Sequence, residues 1–391
     1  MSYQSFDFSF PTRICFGVGE SEKAAEYDAQ LHPEKMMILT YADVRLPVLD
    51  KLLRDLDEKK ITYVLYDRCT GNPKAEQIDA ATEFCVENKC DLVLGVGGGS
   101  VIDSAKAVAM MAVNPTEGGV WTYVSGEAEP QNHALPIMMV VTIASTGLES
   151  DESFVLTDRD EKQKLIYNNP MVRPTLSICD PALSVTLPAR QTALGAADVL
   201  SHVMEQYLHS DPTVNVSDNM CMGIMEAVVR WAPVAIAEPE DLDARSNLLW
   251  ASILAMSRVL GVGHEENRLR HLLEHAVSAR YNIAHTAGMT GIFPAYLRWL
   301  KANAPAAQKK LEGLAKLFGA EDAAEGFPAF VRSLGLPATL LEAANCQASE
   351  QILDSLAENA MPWGDMPVGG FGMLTVADAR NVLADSFSSE L

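Results

Sequence analysis

Short apolar runs alternate with helix-period segments through the first half of the chain. MMILTY at 36 to 41, ITYVLY at 61 to 66, DLVLGV at 91 to 96 and LPIMMVVT at 135 to 142 are almost continuously apolar, which predicts strands covered on both faces. Between them, residues 46 to 58 and 74 to 88 carry helical spacing, with Ile78, Ala81 and Cys85 on one stripe. Strands joined by helices of this length pair in parallel through right-handed crossovers. Residues 1 to 185 are therefore expected to form an α/β domain with helices on both faces of its sheet. FVLTD, QKLIYNN and TLSICDP add short strands near the domain edge. FDFSF followed by RICFGVG predicts an edge strand that turns at Gly17 and Gly19.

The texture changes near Leu187-Pro188, where β-branched runs give way to segments rich in Ala, Leu, Met and Glu with apolar residues at spacings of three and four. Helices are expected at about 189 to 209, 213 to 236, 241 to 260, 266 to 281, 285 to 302 and 306 to 318, with more before Leu391. Residues 186 to 391 read as an all-α domain, and the cleft between the two domains is the expected place for an active site.

A chain of 391 residues has room for two such cores. Its formal charge of -22 would repel phosphate-rich surfaces, which argues against nucleic acid or an anionic membrane as a partner. The seven cysteines include no CxxC pair and suggest neither a disulfide framework nor a thiolate zinc site. MSYQSFDFSFPTR lacks a basic start, and no run reaches the roughly 18 apolar residues of a bilayer span. The expected location is cytoplasmic.

GVGGGSVIDSAKAVAMM, at 95 to 111, places three consecutive glycines between a strand and an amphipathic helix. Gly97, Gly98 and Gly99 let the backbone approach a phosphate, Ser100 offers a hydroxyl, and the helix start offers unpaired N–H groups. A pyrophosphate suits that surface. The run matches neither GxxxxGK[ST] nor a complete GxGxxG, so a glycine turn demanded only by strand-to-helix geometry competes with this reading. A second loop of small and hydroxyl residues, TIASTGLES at 142 to 150, follows another strand and favours the ligand.

Asp198 and His202 lie four apart in a helical segment and project from one face, so both can bind one ion. His271 and His275 repeat the spacing, and His285 follows after the RYNIA connection. Together they suggest one divalent metal with a proton-handling neighbour, although each histidine alone fits ordinary packing. An aspartate with neutral imidazoles suits Fe(II), Zn(II), Mn(II) or Co(II). No HExxH is present, and His32, His133, His209 and His264 have no sequence partner, so they are expected in surface or packing roles.

GNP at 71 to 73, LVLGVGGGSVIDSAKAVA, ALPIMMVVTIASTGLES, KQKLIYN, SICDPALSVTLPARQTALGAADVLSHVMEQYL and HLLEHAVSARYNIAHTAGM resemble, in order, the iron-containing (group III) alcohol dehydrogenases, and among them the butanol dehydrogenase-like branch. The resemblance spans nearly the whole chain. It implies a dinucleotide-binding α/β domain followed by a helical domain, the architecture shared with dehydroquinate synthase. It implies one divalent metal, Fe(II) or Zn(II), on Asp198, His202, His271 and His285, with His275 beside the nicotinamide and substrate. It places the pyrophosphate on Gly98, Gly99 and Ser100, the second cofactor loop at Thr142 and Thr146, and a cofactor-proximal lysine at Lys164; Gly97, Asn72 of GNP and Asp103 join them as candidate cofactor residues. The chain departs from the family at Leu148 in place of a serine, Thr122 in place of an aspartate and Thr286 in place of a glycine.

The implied activity is hydride transfer between NAD(P) and a small alcohol or aldehyde, in a homodimer. After the first strand, Asp43 favours NAD, whereas Arg45 favours the extra phosphate of NADP; the balance leans to NAD. Two rival readings use the same scaffold. A lyase of dehydroquinate synthase type needs a cluster of basic residues, and the helical half shows none near the ligands. A catalytically silent member would account for Leu148 and Thr286.

Overall fold

The structure, a computed structural model, describes residues 5–158, 163–210, 215–262, 269–368 and 371–388. His264 and the predicted helix starts at 213 and 266 lie outside the described residues. The chain divides into two compact units. One comprises Ser9–Leu187 with Glu240–Ser257; the other takes Pro188–Pro239, Arg258 onward and the N-terminal segment through Phe8.

The first unit is built on eight strands: β1 (Arg13–Phe16), β2 (Met36–Tyr41), β3 (Tyr63–Cys69), β4 (Leu92–Gly97), β5 (Ile137–Val141), β6 (Ser153–Asp158), β7 (Gln163–Asn168) and β8 (Leu176–Cys179). Six form one parallel sheet in the order β1-β8-β5-β4-β2-β3. β6 and β7 form a separate antiparallel hairpin. FDFSF is not part of the sheet; the edge strand begins only at Arg13, and Phe6, Phe8 and Phe10 are exposed.

Helices α1 (Ala24–Leu31), α2 (Pro47–Lys59), α3 (Ala75–Glu87), α4 (Gly99–Met111) and the short α5 (Trp121–Val124) complete the unit's first part. Alternation along the strands explains why their sequences are apolar throughout. Met36 and Ile38 of β2 join one core with Leu49, Leu52 and Leu56 of α2, while Met37 and Leu39 join the other with α3 and α4. Each fully buried Leu, Ile or Met contributes about 1.5–3 kcal/mol. The chain leaves β2 for β3 on one side and returns to β4 on the other, so the direction of winding reverses between the carboxyl ends of β2 and β4, where ligands of such sheets bind.

The second unit contains α6 (Ala189–His209), α7 (Asn215–Ala237), α9 (Leu269–Tyr281), α10 (His285–Asn303) and further helices to Ser386, with α8 (Leu242–Met256) between α7 and α9 in sequence. α8 is expected in the helical half but packs in the α/β unit. Ser150 Oγ donates to the Ile253 carbonyl at 3.1 Å, and Gly147, with φ of 72°, leaves room for the Ser252 carbonyl, which a Cβ would strike. The predicted helix over 241 to 260 stops at Met256 because Arg258 turns left-handed at φ 64° and a short 3-10 turn follows. α7 holds Val216–Ala237, a stretch long and apolar enough to cross a bilayer by length and composition; it carries Asp218, Glu226 and Arg230, and it packs against α6.

Candidate metal centre and nucleotide loop

α6 presents Asp198 and His202 one turn apart, α9 presents His271, and α10 begins at His285. The link of Asn282, Ile283 and Ala284 reverses the chain because Asn282 adopts φ 52°, a left-handed conformation that asparagine tolerates well. His285 is thereby returned to His271. Donor atoms of His202, His271 and His285 lie within 4.8 Å of one another. Asp198 Oδ1 stands 3.9 Å from Nε2 of His202 and 3.9 Å from Nε2 of His285. Donors about 2.0–2.2 Å from one ion would sit roughly 3.4 Å apart in a tetrahedron, so closing on a metal requires only a small contraction.

Carboxylates orient two of these rings. Glu205 is hydrogen-bonded to His271 Nδ1 and Glu274 to His285 Nδ1, which places each ring proton on Nδ1 and leaves the Nε2 lone pair for a ligand. Nε2 of His202 and Nε2 of His271 are buried and have no hydrogen-bond partner among the described residues. A buried acceptor left that way costs about 1–3 kcal/mol, and a divalent cation satisfies both at once. Burial, then the neighbouring His271, drives His202 down to about 3 against the pull of Asp198, so its ring is neutral and able to ligate. Burial would raise the Glu205 carboxyl, but His271 and Arg270 outweigh it and hold the group well below the usual carboxylate range. One aspartate and three imidazoles fit a first-row divalent ion.

His275 is buried on α9, with its ring centroid 5.6 Å from that of His285 and 6.3 Å from that of His271. It groups with Glu274 and His285, beside the His202, His271 and His285 cluster. Glu205, Glu274 and Arg270 are absent from the sequence-based site. Glu205 is seven residues after Asp198 and Glu274 three after His271, so both are in phase with the faces of the candidate ligands, but a helical glutamate in phase does not by itself mark a site. His209 needs correction: it is not partnerless, because its Nε2 lies 2.9 Å from the Tyr296 hydroxyl and 3.3 Å from Arg270 Nη1.

In the α/β unit, Gly97 ends β4, Gly98 precedes α4 and Gly99 opens it. A Cβ on Gly97 would lie 2.7 Å from Val101 Cγ2, and one on Gly98 would lie 2.5 Å from Ile143 Cγ2, so packing alone already requires both glycines. A Cβ on Gly99 would make ordinary contact, 3.5 Å from Thr146 Oγ1, so the second loop lies close beside the first. Thr142 follows β5, and its amide donates to the Gly97 carbonyl at 3.0 Å. The phenol of Tyr41, at the end of β2, accepts from the Gly98 amide at 3.0 Å, so one N–H expected to face a phosphate is already engaged.

Asp103 is buried and accepts from the Val155 amide at 3.2 Å; burial pushes its carboxyl up to about 7 against the pull of Lys106. Lys164, on β7, is near enough to lower it further. Asn72 has φ 52°, and Asp43 is exposed just beyond β2. Among the departures, Leu148 belongs to the α/β core, where a serine would bury a hydroxyl; Thr286 is buried in the first turn of α10.

The sequence pattern of iron-containing alcohol dehydrogenase matches residues 11–181, and that of the Fe-containing alcohol dehydrogenase family, C-terminal, matches residues 192–387. The chain is 32% identical to the probable NADH-dependent butanol dehydrogenase 1 of Bacillus subtilis, over 98% of this chain and 100% of that protein. It is 29% identical to the NADPH-dependent aldehyde reductase of Escherichia coli, over 74% of this chain and 75% of that one. The crystal structure of NADH-dependent butanol dehydrogenase A from Thermotoga maritima superposes with a TM-score of 0.89 at 30% identity, covering 99% of this chain and 100% of that chain. With both halves matched in order and the ligand cluster assembled from the second, the chain belongs to the iron-containing alcohol dehydrogenase family.

Proposed function

We propose that this NAD(P)-dependent oxidoreductase interconverts a small alcohol and its aldehyde, with aldehyde reduction as the working direction. The observation that carries the reading is the convergence of Asp198, His202, His271 and His285 in a chain matched to the family through both halves. Asp198, His202, His271 and His285 would hold the ion, which would supply Lewis-acid polarisation of the substrate oxygen, with the hydride exchanged with a bound nicotinamide. Glu205 and Glu274 keep His271 and His285 in the ligating tautomer. His275, a neighbour of the cluster, gives or accepts the proton on the substrate oxygen through a ring nitrogen. The reaction balances as alcohol and NAD(P)+ to aldehyde, NAD(P)H and one proton.

For the nucleotide we propose Gly97, Gly98, Gly99, Ser100, Thr142 and Thr146 at the pyrophosphate, with Asn72, Asp103 and Lys164 nearby. NAD is favoured over NADP because Arg45 is tied to Asp50 at 2.9 Å, which leaves Asp43 to meet the ribose hydroxyls. The metal is proposed as Fe(II) or Zn(II), neither of which needs a thiolate. A cytoplasmic location is supported by seven free cysteines, as a reducing compartment would keep them. A homodimer is supported by the exposed Phe6, Phe8 and Phe10, apolar surface that a second copy would cover; a monomer in analytical ultracentrifugation at micromolar concentration would overturn it.

The deciding experiment is a panel of aldehydes and alcohols with NADH and NADPH, run on metal-stripped protein and on protein reloaded with Fe(II) or Zn(II). Restoration by reloading supports the reading. Full activity in the stripped protein would defeat it.

A further inference from the structure

Three helices supply the metal ligands, and the same three meet again at one buried arginine. Arg270 precedes the ligand His271 on α9 and is wholly buried. Its Nη2 lies 3.2 Å from Glu205 Oε1, which also accepts the Arg270 backbone amide at 3.1 Å. Its Nη1 lies 3.3 Å from His209 Nε2, one turn beyond Glu205 on α6. Its guanidinium carbon sits 4.7 Å from the centre of the Phe293 ring and 4.6 Å from that of Tyr296, both on α10. Tyr296 closes the circuit through its hydroxyl, 2.9 Å from His209 Nε2.

The chemistry of this cluster is specific. A guanidinium only donates, so the His209 nitrogen that faces it is the acceptor of a neutral imidazole, and the cluster holds one cation against one carboxylate. Glu205 divides its two oxygens, Oε1 to Arg270 and Oε2 to His271 Nδ1. A carboxylate serving His271 alone would be free to rotate about its last torsion, which is broad and twofold. With Oε1 held by the hydrogen bond from the Arg270 amide and by the ion pair with Nη2, Oε2 is turned toward the imidazole. A planar fork that stacks on two rings while bonding in its own plane cannot be reproduced by an ammonium group.

We propose that Arg270 is a positioning residue of the metal centre: by clamping Glu205 to α9 and seating on Phe293 and Tyr296, it orients His271 and sets the affinity of the site for its ion. This rests on the metal reading proposed above. The clamp joins α6, α9 and α10 before any metal arrives, so the ion meets a site already assembled and loses less affinity to ordering its ligands.

The test measures metal binding directly. Protein stripped with a chelator is titrated with Co(II) against a chromophoric competitor, and the visible ligand-field spectrum is recorded alongside Kd, for wild type, Arg270→Met, Arg270→Lys and Lys310→Met. Lys310 is the control: it is another buried cation of the helical unit, bonded to the Tyr207 and Ser210 carbonyls at 2.6 and 2.9 Å. Arg270→Met is expected to raise Kd by about 10–100-fold, the usual cost of losing an outer partner of a ligand, and to alter the spectrum; Arg270→Lys should recover only part of the affinity. Lys310→Met should lower thermal stability and leave Kd unchanged. A folded Arg270→Met with wild-type Kd and spectrum overturns the proposal, as does an equal Kd rise in Lys310→Met. Should Arg270→Met fail to fold, Glu205→Asp tests the same link, because one methylene less cannot span Arg270 and His271; an unchanged Kd there overturns it too. Wild-type protein that binds no Co(II), Fe(II) or Zn(II) would instead defeat the metal reading itself.

Discussion

The two units bury ionisable groups in opposite ways. In the helical unit, Glu205 is held far below the usual carboxylate range by His271 and Arg270, and His202 is driven down to about 3, so the carboxylate is paired and the His202 ring stays neutral. In the α/β unit, burial dominates instead: Asp28, Asp103 and Glu149 are each pushed up to about 7. Among the described residues, no charged neighbour of Asp28 offsets burial, and neither carboxylate oxygen has a hydrogen-bond partner. The difference teaches where each unit spends its polar groups. Around the candidate metal they form a connected network that holds ligands in a reactive protonation state. In the sheet unit Asp103 and Glu149 lean toward the neutral form because burial outweighs the pull of Lys106, whose ammonium is itself paired with Asp151 at 2.6 Å.

Breaking the paired network at a ligand should have the largest effect. His271→Ala is expected to lose both metal and turnover while keeping the fold, which metal content and circular dichroism on one sample would show; retained metal at wild-type stoichiometry would refute the ligand assignment. Next comes the unpaired acid. The folded-state pKa of Asp28 is raised, so its burial penalty is absent below the unfolded value near 4, grows as pH rises and is complete above about 7. Asp28→Asn should therefore stabilise the protein at pH 8, by up to roughly 4 kcal/mol, with little gain at pH 4. Denaturant melts at the two pH values decide it, and equal gains at both would show that Asp28 is not buried as an acid.

Glu274→Gln separates orientation from ligation. His285 should lose its fixed tautomer, raising the Kd for Zn(II) about 10–100-fold without abolishing binding. The same competition titration reads it, and no change would make Glu274 a packing residue. The smallest effects lie in the glycine loop. Gly98→Ala should cost about 1–3 kcal/mol, because its Cβ meets Ile143, and should weaken NADH binding; Gly99→Ala, in open contact with Thr146, should change stability by less than about 1 kcal/mol. Thermal melts and NADH fluorescence titration compare the two, and equal losses would contradict the crowding argument.

The clustering of the candidate ligands was legible in the sequence because i,i+4 spacing on a helix is a geometric guarantee that two side chains share a face, which Asp198 and His202 show. The parallel sheet was legible from apolar runs covered on both faces, such as β4. Glu205 and Glu274 were in phase with the ligands but carried no separate signal, since a glutamate on a helix is most often solvated. Arg270 and His209 could not be paired at all. They lie 61 residues apart, and nothing in their local pattern anticipates a buried guanidinium between two rings.

The sequence by itself determined the fold class, the four residues that can ligate and the glycine turn after β4, since each follows from periodicity, family order or short-range spacing. Only the tertiary structure decided that α8 packs in the α/β unit, that Tyr41 occupies the Gly98 amide and that Arg270 ties Glu205 to His271. Those outcomes depend on contacts between residues distant in the chain. Whether a buried polar group finds its partner is settled by packing, which no local pattern of hydrophobic and polar positions encodes.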